Sequence, residues 1–478
     1  LGEIDRRRML LVPIAALLFL AMRLLPPPEG LDAEGWAVAA VAATMALLWL
    51  TEALPLPVTA MLPFVALPLM GTMKAGEVAG LYWSPVIFLV LGGAILAVAV
   101  ETHGLHRRLA LAIVRRAPGS ARGLLLAFMA ATALISMLVS NTATALIMMP
   151  VALAIVMALG EPQALDGSGP AEERLGTAMV LGVAWAANIG GAGTLVGTPT
   201  NAISAGIVER SLGLKIDFLT WMAFGIPLVV LAIPLAGLVL VVMFRVPGER
   251  LDRAQVLGVL GDAGPLTADQ KRLLPILALL LLGWVLWPLA AAALGLPAPD
   301  DGVVAIMVSL LLFLVPAAGG GTLLHWKDAR ERVPWDILLL FGGGLALAGA
   351  ITQSGLAGWI GGQMAALGGL HAVLLALIVV AVVVLVTEFA SNVAAASAFM
   401  PVVAAVALQT GVAPLPLVMG AAFAASWGYM MPAGTPPNAI AYATGRVTIG
   451  QMVRSGVWVN LIGIVLMVGV SFVVGGLL

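Results

Sequence analysis

The chain has 478 residues, of which 62% are hydrophobic and only 10% charged; soluble domains carry about 25% charged residues, so a soluble globular protein is excluded. A formal net charge of −1 offers no basic surface to nucleic acid, and none is expected as a partner. The absence of cysteine removes disulfides, thiolate metal sites and cysteine nucleophiles.

What remains is a polytopic membrane protein, because several uncharged apolar runs reach the ~18 residues that mark a spanning helix. The first span, 9–25, follows Arg6-Arg7-Arg8 and lacks a small-x-small cleavage site. It reads as a retained span, not a signal peptide. Spans 36–53 and 57–71 follow, joined by the turn Pro55-Leu56-Pro57, and then 84–101. Residues 104–118 are too short and too charged to cross, with arginine pairs at 107–108 and 115–116. An amphipathic helix lying at the interface suits them.

Segment 123–158 would make roughly 54 Å of helix, too long for one crossing of about 30 Å and tight for two. A re-entrant hairpin with Ser140-Asn141-Thr142 at its tip satisfies the length. After a polar loop at 161–175, segment 176–208 is again too long for one helix. It contains GGAGTLVGTPTN from Gly190 to Asn201, which predicts a break in mid-membrane. Span 218–243 closes the first half. A charged linker (245–272) leads to spans 273–296, 302–318 and 335–351 and a second interfacial segment at 354–369. A second hairpin (372–409) surrounds Ser391-Asn392, a second broken helix (415–443) surrounds residues 432–438, and the last span is 455–476.

The two halves repeat one another. Ser140-Asn141-Thr142 returns as Ser391-Asn392-Val393, with a hydroxyl four residues before each serine (Ser136, Thr387) and a proline nine residues after each asparagine (Pro150, Pro401). Leu91-Gly92-Gly93 pairs with Phe341-Gly342-Gly343. The frame from Gly197 to Ile203 matches that from Gly434 to Ile440 at all but one position. Each half carries an odd number of crossings, so the second lies upside down relative to the first. The fold class is therefore an all-α polytopic membrane protein of about 11 transmembrane helices and two re-entrant hairpins in two inverted-topology repeats, the plan of secondary transporters. With the N-terminus inside, all 23 basic residues except Arg23, Lys74, Arg210 and Lys215 fall in inner segments, as the positive-inside rule requires.

In hydrocarbon every freed backbone group needs a partner. A broken helix exposes amides at one half-helix N-terminus, which suit anions, and carbonyls at the other half's C-terminus, which suit Na⁺. Serine, asparagine and threonine add short polar groups at the same depth. Two hairpin tips meeting two breaks would form hard-oxygen cages for small cations around a donor-rich anion pocket. No arginine or lysine falls in that core, so dipoles and nearby Na⁺ would hold the anion.

These motifs, together with Thr-Glu-Ala-Leu-Pro-Leu-Pro-Val-Thr-Ala at 51–60, resemble those of the divalent anion/sodium symporter family, whose members carry dicarboxylates, citrate or sulfate. The resemblance covers essentially the whole chain. It implies a homodimer in the cell inner (plasma) membrane, with an elevator-like division into scaffold parts (1–122, 245–371) and transport parts (123–244, 372–478). It implies substrate contacts from Ser140, Asn141, Thr142, Ser391, Asn392, Val393, Thr198, Pro199, Thr435 and Pro436. It further implies one Na⁺ at Ser136, Ser140, Asn141 and the Gly197 carbonyl, and another at Thr387, Ala390, Asn392 and the Gly434 carbonyl. Val393 departs from the pattern by replacing a hydroxyl, a variation like that of some citrate-preferring members. Hydroxyl and carbonyl ligands at both positions favour Na⁺ over a fixed lysine or histidine.

Other residues carry weaker signals. Glu52 and Glu388 are ionisable groups in or near apolar segments, functional candidates by default, but bonds to neighbouring backbone would serve them equally. Asn188 belongs to the broken-helix site or hydrogen-bonds across helices. The four histidines have no metal-ligand spacing, and the tryptophans mostly sit near span ends (Trp36, Trp83, Trp221, Trp326, Trp335). An intramembrane enzyme would need a nucleophile–base pair or metal ligands at depth, and the sequence offers neither. A Na⁺-independent anion exchanger or a sulfate transporter of the same build is the alternative.

Overall fold

A computed structural model describes residues 3–159, 171–248, 258, 264–295, 297, 300–363 and 371–478. Parts of the polar loop at 161–175, the linker at 245–272 and the interfacial segment at 354–369 lie outside these residues. Within them regular structure is helical, apart from isolated bridge positions at Ser120 and between Pro316 and Thr322. This is what apolar segments require where backbone bonds must close within the segment. Among the described residues, seven helical stretches are long and apolar enough to cross a membrane, from Ala33–Thr51 to Ile449–Gly475, and shorter apolar helices accompany them.

The long segments divide as their length demands. The first hairpin runs down Ala121–Ser136, turns, and returns along Asn141–Leu159; the second uses Ala372–Thr387 and Asn392–Gln409. The first broken helix consists of Ala171–Gly191 and Pro199–Leu212, the second of Pro414–Ala424 and Pro436–Ala443. Both arms of the first hairpin pack along Ala171–Gly191, and the returning arm of the second packs on Pro414–Ala424 and on Pro199–Leu212. Each half thus lends a half-helix to the other. The arginine-paired segment at 104–118 is a short helix, Leu105–Val114.

Two expected spans differ. Residues 57–71 form no single helix but two short ones, Leu56–Thr59 and Leu62–Leu69. Pro57 and Pro63 each sit in a first turn, where a missing amide proton costs nothing, and so favour two starts over one continuous helix. The carbonyl freed at Ala60 accepts the Tyr82 hydroxyl. Likewise 302–318 is helical only over Asp301–Leu311; beyond Pro316 the chain bends through Gly320 and Gly321, both at positive φ.

Candidate functional site

Each hairpin turns on a short irregular stretch, 137–140 or 388–391, and its triplet straddles the start of the returning helix. The serines cap those helices: Ser140 Oγ accepts from the Ala143 amide at 3.3 Å and Ser391 Oγ from the Ala394 amide at 3.4 Å. The asparagines turn back toward the descending arms. Asn141 Oδ1 lies 2.8 Å from Ser136 Oγ, and Asn392 Oδ1 lies 2.9 Å from Thr387 Oγ1. The same hydroxyls meet the broken helices, Ser136 Oγ at 2.6 Å from the Ala187 carbonyl oxygen and Thr387 Oγ1 at 2.8 Å from that of Ala425.

In each cluster three oxygens meet with one proton between them. With the amides turned so that Oδ1 faces each hydroxyl, that proton satisfies one contact and leaves the other with lone pair facing lone pair. Ser136 and Thr387 are both 0% exposed, so bulk water does not supply the missing donor. A small hard cation suits such a cluster. Gly191 belongs to the first one: a Cβ there would stand 2.2 Å from Asn141 Oδ1, so no larger residue fits with Asn141 in place. At Gly434 a Cβ would meet the carbonyl oxygens of Glu388, Thr387 and Met431 at 3.3–3.5 Å, which makes the second cluster rich in backbone oxygen as well.

The breaks are braced alike. Asn201 Nδ2 donates to the Gly191 and Thr194 carbonyls, both at 2.8 Å. Asn438 Nδ2 donates to those of Gly428 at 3.0 Å and Met431 at 3.1 Å. Thr198 and Thr435 cap the second half-helices with nearly the same backbone, φ −142°, ψ 145° and φ −146°, ψ 148°. The attachment to the hairpin differs between the halves. Thr194 donates its hydroxyl proton to the Met137 carbonyl in the first. In the second, the buried Glu388 carboxylate accepts from the amides of Tyr429 (2.7 Å), Met430 (2.9 and 3.0 Å) and Met431 (3.0 Å) and from Asn460 Nδ2 (2.5 Å). Glu388 therefore bonds backbone, and the carboxylate holds the unwound stretch to the hairpin.

All four motifs open on one cavity of about 740 Å³, lined by Ser140, Asn141, Thr142, Ser391, Asn392, Val393, Gly197, Thr198, Pro199, Gly434, Thr435 and Pro436. Its size falls within the range of small-molecule sites. Helices begin at Asn141, Asn392, Pro199 and Pro436, so four N-termini with their partial positive charge converge on it, an arrangement that favours an anion. Among the described lining residues Arg332 is the one fixed cation, and its guanidinium is engaged by Glu101 at 2.5 Å and Thr102 Oγ1 at 2.8 Å. Glu52 also lines the cavity, at the left-handed C-cap of Ala33–Thr51. Of the residues expected at a cation, Ser136 and Thr387 sit behind the cavity in the oxygen clusters. Ala390 is buried in the second hairpin's turn and does not line the cavity.

The model of the sodium:sulfate symporter transmembrane region matches residues 6–478. The chain belongs to this family. It is accordingly a multi-pass membrane transporter rather than an enzyme, and the resemblance read from its motifs holds. The sodium-dependent dicarboxylate transporter SdcS of Staphylococcus aureus is 38% identical over 474 residues, covering 96% of this chain and 90% of that protein. SdcS of Staphylococcus saprophyticus is 36% identical over 472 residues with the same coverage. In fold the chain resembles the crystal structure of the Alcanivorax borkumensis YdaH transporter, with a TM-score of 0.55 at 16% identity over 99% of this chain and 97% of that one.

The carbonyls of Ala187 and Ala425 escape sequence reasoning, since a backbone acceptor has no side-chain signature. Glu101 and Arg332 escape it for another reason: they are far apart in the chain and meet only in the fold. The signal that could have found them is polarity at the ends of spans lining a common face.

Proposed function

We propose that this symporter-family member couples inward Na⁺ movement to the uptake of small dicarboxylates such as succinate, malate or fumarate. The observation that carries the reading is the pair of proton-poor oxygen clusters behind a cavity on which four helix N-termini open. The names of the SdcS relatives agree with it. Na⁺ enters the clusters at Ser136, Ser140, Asn141 and the Gly197 carbonyl, and at Thr387, Ala390, Asn392 and the Gly434 carbonyl. Each ion relieves a lone-pair clash and draws a hairpin tip against its break, which aligns Ser140, Asn141, Thr142, Ser391 and Asn392 toward the substrate carboxylates, beside Thr198, Pro199, Thr435 and Pro436. Val393 gives that wall one apolar face, which also accommodates a tricarboxylate such as citrate.

Two Na⁺ neutralise a dianion, and a neutral load avoids the large cost of carrying charge through hydrocarbon. The repeated motifs and the helices exchanged between halves support two inverted-topology repeats, with 123–244 and 372–478 moving as a transport domain against the scaffold of 1–122 and 245–371 in a homodimer. The N-terminus lies in the cytoplasm and the protein in the cell inner membrane. Uptake of labelled succinate into proteoliposomes under an inward Na⁺ gradient, with K⁺ as control and citrate and sulfate as competitors, tests this. Na⁺-dependent uptake supports symport. Uptake indifferent to Na⁺ but driven by internal anion makes the protein an exchanger.

A further inference from the structure

The two threonines that cap the broken helices are alike in backbone but not in hydrogen bonding. Thr435 Oγ1 accepts from Asn188 Nδ2 at 2.8 Å and from the Asn438 amide at 3.4 Å. Both lone pairs therefore face a donor, the second through a longer contact that the Asn438 amide shares with the Thr435 carbonyl at 3.1 Å. Among the described residues the hydroxyl's own proton has no acceptor, and Thr435 lines the cavity. Thr198, its counterpart, makes no side-chain cap bond. Asn188 is 1% exposed, and its orientation is set in turn: Asn141 Nδ2 donates to Asn188 Oδ1 at 3.4 Å, while Asn141 Oδ1 faces Ser136 Oγ at 2.8 Å. The second half repeats the hairpin asparagine, the cluster hydroxyl and the bracing asparagine. It does not repeat Asn188: the residues after its equivalent half-helix are Ala425 and Ser426.

We infer that Asn188 is a positioning residue that aims the Thr435 hydroxyl proton at a substrate carboxylate and ties that donor to the first cation cluster. The inference rests on the anion reading of the cavity. A hydroxyl whose lone pairs are both engaged presents only its proton, so Thr435 is a fixed donor where Thr198 is a free rotor. A fixed donor loses no rotational freedom on binding and gives its full charge-assisted strength to the anion. It lines the same cavity as Val393, which stands where the first half has Thr142. Because Asn141 serves both the cluster and Asn188, a cation that holds Asn141 also holds Asn188. Sodium on one half thereby prepares a donor contributed by the other half.

The test is a double-mutant cycle on succinate binding to the purified chain in lipid nanodiscs, at several fixed Na⁺ concentrations. Asn188→Leu keeps the volume and removes the amide; Thr435→Val keeps the shape and removes the hydroxyl. Each alone weakens succinate about tenfold, the size expected for one hydrogen bond to a charged group. The double variant is no weaker than Thr435→Val, and in Asn188→Leu the gain in succinate affinity with rising Na⁺ is flatter than in wild type. A structural role for Asn188 instead makes the two losses multiply, and that result, or an unaltered Asn188→Leu, overturns the inference. Asn188→Ala, which adds no charge beside the anion cavity, is the second arm should the leucine variant fail to fold. It likewise removes the amide that fixes Thr435, so the same loss is expected, again silent on the Thr435→Val background. Wild-type protein that binds no succinate at any Na⁺ concentration overturns the parent reading, and this one with it.

Discussion

Replacing Thr387 by valine isolates the contribution of one cluster oxygen. The two side chains have the same shape, so Thr387→Val opens no cavity at a position that is 0% exposed. What is lost is Oγ1, which stands 2.8 Å from the Ala425 carbonyl oxygen and 2.9 Å from Asn392 Oδ1. Removing one partner from a buried polar set costs about 1–3 kcal/mol. At about 1.4 kcal/mol per decade that is roughly a 5- to 150-fold loss of apparent Na⁺ affinity. The assay is Na⁺-dependent succinate uptake into proteoliposomes at fixed succinate, with the half-saturating Na⁺ concentration as the readout. The loss is recoverable: enough Na⁺ refills the site, and succinate affinity then approaches that of wild type. A Thr387→Val protein whose Na⁺ dependence stays within twofold of wild type refutes the assignment of this cluster to a cation.

Other outcomes follow from the same geometry. Gly191→Ala drives a methyl onto Asn141 Oδ1, and Na⁺-dependent succinate binding falls by more than tenfold while the protein still reaches the membrane, read by equilibrium binding beside an expression blot. Glu388→Gln turns one acceptor oxygen into a donor facing the amides of Tyr429, Met430 and Met431; at about 1–3 kcal/mol for an unsatisfied buried group, the melting temperature in detergent drops measurably. Val393→Thr restores a hydroxyl to the cavity wall and shifts competition toward succinate over citrate by several-fold, measured as the ratio of half-inhibitory concentrations in uptake. Two Na⁺ with a dianion move no net charge, so succinate uptake generates no current on a supported membrane; inward current requires a third Na⁺ or a monoanionic substrate, each charge moved across 100 mV being worth about 2.3 kcal/mol.

The parts of the site that were legible in sequence are those where a polar side chain interrupts an apolar run. Ser140-Asn141 and Ser391-Asn392 stand out because hydrocarbon tolerates such residues only with a purpose, and their spacing from Ser136, Thr387, Pro150 and Pro401 repeats. The breaks were legible through Gly-Thr-Pro frames that no continuous helix accommodates. In the structure the two serines cap the returning helices while the asparagines beside them reach the oxygen clusters. Less could be read where tertiary contact decides. Residues 57–71 have the hydropathy of a span, yet Pro57 and Pro63 start two short helices whose freed Ala60 carbonyl is taken by Tyr82. Glu388 read equally as site or scaffold, because its partners at 429–431 become unpaired amides only when that stretch unwinds. Asn188 carried no sign of Thr435, far along the chain in the other half.

If the oxygen clusters hold Na⁺ in linkage with a dicarboxylate, equilibrium binding reads that linkage without the complications of transport. Succinate affinity of the purified chain is measured across a titration of NaCl at constant ionic strength, with KCl as replacement. Linkage requires that each ligand tighten the other by the same factor. Succinate is expected to bind tightly in NaCl and negligibly in KCl, with affinity rising about as the square of Na⁺ concentration below saturation, as two linked sites demand. Succinate affinity that is the same in NaCl and KCl contradicts the linkage.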